Sequence, residues 1–151
     1  MKLNLKRTSV LVLMVTLGCS GNSSSDPTAQ AWTLFEAHHY QESYAQFKLI
    51  TTGNPEVNVG LGWNAIRLDS IDLAHAYFQA IASDSLEDAY AGWAAVLWIK
   101  GDYQGCIDKV NTAFRADPAY LFVHDRTVTR EDLIWHQASS SFHLADFAHC
   151  I

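Results

Sequence analysis

Residues 87–120 read EDAYAGWAAVLWIKGDYQGCIDKVNTAFRADPAY. Tyr90, Trp93, Ala94 and Leu97 recur at the spacing of one helical face, so this stretch opens with an amphipathic helix. After the turn at "GD", Tyr103, Cys106 and Val110 repeat that spacing in a second helix. Pro118 follows Val110 by eight residues and closes the unit. Two helices joined by a short turn form a hairpin with its apolar stripes on facing sides.

The same grammar occurs upstream. A turn and an apolar residue precede a small residue, three others and a large apolar residue: Tyr40, Ser43 and Phe47, then Ile71, Ala74 and Phe78. Phe47, Phe78 and Val110 are separated by 31 and 32 residues, and Pro55, Leu86 and Pro118 stand eight residues beyond them. Ahead of the second turn, Asn58, Leu61, Gly62 and Ala65 match the first-helix template. This pattern resembles the tetratricopeptide repeat (TPR), with its Trp, Leu-Gly and Tyr in one helix and Ala, Phe and Pro later. The resemblance covers residues 28–151 and is best over 87–120, a unit of 34 residues. It implies an all-α solenoid of about three and a half repeats, at 28–55, 56–86, 87–120 and 131–151, the last incomplete. Small residues at Ala31, Gly62, Ala94 and Ala138, and at Ser43, Ala74, Cys106 and Cys150, would let paired helices approach closely. No unit buries its apolar face alone, so each depends on a neighbour.

Two features interrupt the repeat. Tyr120 to Val123 is an apolar run too short for a helix, followed by a polar turn at His124 to Arg126. It is expected to lie extended over the solenoid or to serve as a binding loop. Thr129 and Asp132 are then spaced as a capping box opening the fourth unit. That unit stops just after Asp146 and Phe147, so a fragment or frameshifted product of a longer array is expected. Cys106 and Cys150 share a repeat slot. Successive slots lie about 10 Å or more apart, beyond the ~7 Å span of a disulfide, so both are expected to be structural.

The N-terminus is of another kind. MKLNLKRTSVLVLMVTLGC carries Lys2, Lys6 and Arg7, then an apolar core from Val10 to Leu17. That core is shorter than the roughly 20 residues needed to span a bilayer, and the layout is that of a secretory signal over 1–18. Gly18 before Cys19 resembles the lipobox of bacterial lipoproteins, although Thr16 stands where the family usually has Leu. The resemblance implies diacylglycerol on the Cys19 sulfur and a third acyl chain, with no other cofactor. Residues 19–27 are small and polar, as suits a flexible tether. Ser20 after the cysteine implies an envelope lipoprotein sorted to the outer membrane, facing the periplasm.

Composition narrows the function. Apolar residues make up 49% of the 151 and charged ones 17%, enough for a packed core. The net charge of −6 argues against nucleic acid as a partner, because phosphate binding needs clustered Lys and Arg. Seven His occur, none spaced with Cys, Glu or another His as a metal set, and no nucleophile motif or phosphate loop is present. No metal, and no catalytic residue, is therefore expected. The resemblance implies a concave groove lined by the first helices, here Trp32, Phe35, Trp63, Ile66, Arg67, Trp98, Trp135 and Phe142. Its expected partner is a protein or an extended, mostly apolar peptide, since Arg67 is the single cation there. The expected function is thus a lipid-anchored scaffold. The alternatives are the anchoring part of a longer envelope enzyme or sensor, and a small-ligand or glycan receptor using the indoles.

Overall fold

A computed structural model of the chain describes residues 26–51, 53–81 and 86–145. The signal segment, Cys19, Phe147 and Cys150 lie outside the described residues. Seven helices follow in order among those described: α1 Pro27–Glu36, α2 Tyr40–Leu49, α3 Pro55–Arg67, α4 Ile71–Gln79, α5 Glu87–Lys100, α6 Tyr103–Ala116 and α7 Arg130–His143.

Their ends are set by local chemistry. Pro27 and Pro55 open α1 and α3, where a missing N–H costs nothing, and the Asp26 and Asn54 side chains accept from Thr28 N and Glu56 N at 3.0 Å. Asp102 accepts from Gly105 N at 3.0 Å to start α6. The turn inside each hairpin takes one left-handed step, at His38 (φ 64°), Asp69 (φ 56°) and Gly101 (φ 77°). These positions keep the 31- and 32-residue intervals, and only the third has the residue that adopts this conformation without strain. Ala145 takes the step again 44 residues later, the interval lengthened by the segment before α7.

Each helix packs on the next, and α1, α3, α5 and α7 also touch in succession, forming an inner layer with α2, α4 and α6 outside. The small slots explain the closeness. Ala31, Ser43, Ala74, Ala94 and Cys106 are fully buried, and the Ser43 hydroxyl donates to Ala31 O at 2.9 Å. The large slots are seams between repeats. Phe47 lies against Gly60, and Phe78 lies between Gly62 and Gly92, where an added Cβ would come within 2.3–2.5 Å of ring carbons. Burying each Phe contributes about 1.5–3 kcal/mol, available only when the next repeat is in place. Val110 replaces Phe in the third unit, and the register puts His136 where Gly60 and Gly92 stand.

The expected capping box opens α7. The Asp132 carboxylate accepts from Thr129 N at 2.8 Å and from its hydroxyl at 2.9 Å. Tyr120–Thr129 lies on the inner layer as a loop. Leu121 and Thr129 form an isolated antiparallel bridge, Phe122 N donates to Val128 O at 3.0 Å, and Arg130 Nε donates to Pro118 O at 3.1 Å.

Candidate functional site

The inner layer is a trough with two unlike halves. Along one repeat slot stand Trp32, Trp63, Ala95 and Ser139, one per helix. A second slot, one turn on, holds Phe35, Ile66, Trp98 and Phe142. The first slot is therefore indole in α1 and α3 and small in α5 and α7.

The indole half is closed. Phe122 enters it and is 0% exposed. Its ring stacks on Trp63 at 4.4 Å and meets the edges of Trp32 and Phe35, each at 5.9 Å. His124 stacks flat on Trp32 at 3.8 Å, with Nδ1 2.8 Å from Glu36 Oε1. Asp125 pairs with Arg67 at the rim. Burial would raise the Asp125 carboxyl, but the Thr127 hydroxyl and N–H and the Arg67 guanidinium together hold it below the usual carboxylate range. The expectation of one continuous open groove is corrected here. Trp32, Phe35 and Trp63 are buried, at 4%, 1% and 3% exposure. They are covered because the segment after Pro118, expected either to lie extended over the solenoid or to bind, overlies it, folded into two turns rather than extended.

The indole N–H groups are committed elsewhere. Trp32 Nε1 donates to Glu56 Oε1 at 2.9 Å, Trp63 Nε1 to Asp88 O at 3.0 Å, and Trp98 Nε1 to Ser139 Oγ at 3.2 Å. Each ties one inner helix to the next. Asp88 sits at the edge of the closed half, against the buried Tyr120 hydroxyl, and burial pushes its carboxyl up to about 6. Beside it a cleft of about 300 Å³ opens between Trp32, Pro55, Val59, Leu86, Val123 and His124.

The small-residue half is open. Ala91 and Ala95 leave a cavity of about 280 Å³ bounded by Trp63, Ile66, Val128, Leu133 and His136. Burial holds the His136 imidazole below its ordinary value, against the pull of Asp132, and so favours its neutral form. Beyond the cavity Trp98 and Trp135 meet at 4.9 Å between ring centroids. Trp135 is 55% exposed and Phe142, seven residues on, is 64% exposed. Thus the eight expected groove residues divide. Three are walls under the loop, Ile66 and Trp98 are half-buried, Arg67 is held by the loop, and Trp135 and Phe142 reach solvent. Phe122, His124 and Asp125 were not among them; the interruption of the repeat was their one sequence signal.

No protein-family model matches the sequence, and no curated protein matches it. Among solved structures the chain is similar to MamA MSR-1 C2, at a TM-score of 0.65 and 12% identity over 82% of this chain and 68% of that one. It is also similar to YrrB, a TPR protein with an unusual peptide-binding site, at a TM-score of 0.64 and 14% identity. That likeness covers 83% of this chain, which spans 62% of YrrB. At such identities the fold alone is shared. It is an all-α TPR solenoid.

Proposed function

We propose that the chain is a protein-binding TPR scaffold, held to a bacterial envelope by acyl chains on Cys19, whose partner docks on the open half of the trough. The observation that carries this reading is the joint exposure of Trp135 and Phe142 on α7 beside Trp98. Large aromatic side chains exposed together, next to a cavity, are the usual anchors of a protein interface. The partner segment is apolar and extended: Ala91 and Ala95 leave room for one of its side chains, and Arg67, engaged by Asp125, offers no free cation for a carboxylate. The peptide-binding site of YrrB supports the reading through the shared fold. The cationic start, short apolar core and Gly18-Cys19 junction support the anchor, and Ser20 supports the outer membrane.

Photocrosslinking from position 135 in intact cells tests the partner. One recurrent protein adduct is expected, weakened by Phe142→Ala. Absence of a discrete adduct from both 135 and 98 would overturn the reading. The anchor is tested apart from this: Cys19→Ser should move the chain from the membrane fraction to the soluble one, and unchanged fractionation refutes lipidation.

A further inference from the structure

The loop between Tyr120 and Thr129 does to the closed half what a bound peptide would do. It is a pair of successive turns that seats one ring on Trp63 and another on Trp32, two residues apart, and it adds an acid opposite Arg67. Three observations bear on whether it is fixed there. First, the loop is closed on itself, through Phe122 N to Val128 O, Asp125 N to Phe122 O and Val128 N to Asp125 O. Its ends are also tied together, by the Leu121–Thr129 bridge and by Arg130 to Pro118 O. Such a unit can leave the trough without breaking any hydrogen bond of the helices, and once out its own few bonds stand in water, where they open readily. Second, the trough beneath does not depend on it for polar partners. Trp32 and Trp63 give their indole N–H groups to Glu56 and Asp88, so loop departure leaves no buried donor stranded there. Third, only Phe122 between Leu121 and Thr129 is fully buried, and the tip contacts, Asp125–Arg67 and His124–Glu36, sit at the rim, half-buried on the loop side and open to water on the Arg67 and Glu36 side.

We propose that the Leu121–Thr129 loop is an exchangeable, built-in ligand of the closed half. The site it covers takes a turn-forming segment of a partner protein, with an aromatic residue, then two positions later a second flat ring, then an acid, as the loop presents them at Phe122, His124 and Asp125. This rests on reading the inner layer as a protein-binding face. Because the loop is tethered, it competes at an effective concentration in the millimolar range. A partner therefore wins by also engaging the open half, which begins where the loop ends, at Val128. The loop thus sets a threshold: short peptides are refused, and a segment long enough to reach Trp98 and Trp135 is admitted.

Two measurements test this without use of the open half. In hydrogen exchange of the unaltered chain, the amides of Phe122 and Val128 should exchange at least about ten times faster than those of α3 and α5, through an opening confined to the loop. Exchange of all these amides together would overturn the proposal. A labelled peptide spanning residues 119–129 should bind the double variant Phe122→Ser, His124→Ser at least about tenfold more tightly than the unaltered chain, whose site is filled. A helical variant that binds no better refutes it, and so does a variant that fails to fold, since an exchangeable loop is not needed for the fold. Loss of crosslinking from Trp135 leaves these results untouched, so the two readings fail separately.

Discussion

The closed and open halves of the trough use the same slots on successive inner helices and reach opposite ends. In α1 and α3 the first slot holds Trp32 and Trp63, and their indoles wall a chamber the width of one phenyl ring, which Phe122 fills. In α5 and α7 that slot holds Ala95 and Ser139, and a cavity of about 280 Å³ remains between Ala91, Ala95, Ile66, Val128 and His136. The difference shows that a Trp on an inner helix is not by itself a binding residue. What decides is whether something else in the chain reaches it.

The comparison can be broken most directly at Trp63. Trp63→Ala should cost about 3–5 kcal/mol, because it removes a buried indole that Phe122 and Phe78 both touch. A shift in urea unfolding below about 1 kcal/mol would mean that Phe122 is not seated there. The halves should next differ in pH response. Asp88, raised from 3.8 to about 6, makes a stabilising contribution that is full below the unfolded value and lost as pH rises through 6, roughly 2–3 kcal/mol. Unfolding at pH 4.5 and 7.5 should show this loss, and Asp88→Asn should abolish it. His136, lining the open half, works in the reverse sense: its pKa is lowered by burial, so its contribution is present above 6.5 and lost as pH falls through its folded value. Arg67→Ala, which cuts the rim pair with Asp125, should cost about 0.2–1 kcal/mol and lose its effect in high salt. Trp135→Ala should change stability by no more than about 0.5 kcal/mol. The same change should weaken partner capture by about 2 kcal/mol, which a pull-down titration would read. A Trp135→Ala chain that unfolds like Trp63→Ala would erase the distinction.

The fold was legible because repeat packing is nearest-neighbour packing. Phe47 meets Gly60, and Phe78 meets Gly62 and Gly92, over sequence distances that the 31- and 32-residue period displays directly. The site was legible only in part. The same template that identified the inner-helix residues assigned Trp32, Phe35 and Trp63 to an open groove, because it contains no insertion. The segment at 120–126 was visible as excess, and its apolar character announced burial. Its target was not visible, since Phe122 and Trp63 lie 59 residues apart with no period linking them.

The sequence by itself determined the helix pairs, the small slots at which they approach and the opening of α7 by Thr129 and Asp132. These follow from interactions within one turn or between adjacent hairpins, and such interactions leave a spacing that can be read. Only the tertiary structure decided which indoles face water. That outcome depends on the curvature of the stacked helices and on where a non-repeating loop finds enough apolar surface to bury one phenyl ring, a property of the assembled surface and of no local stretch of chain.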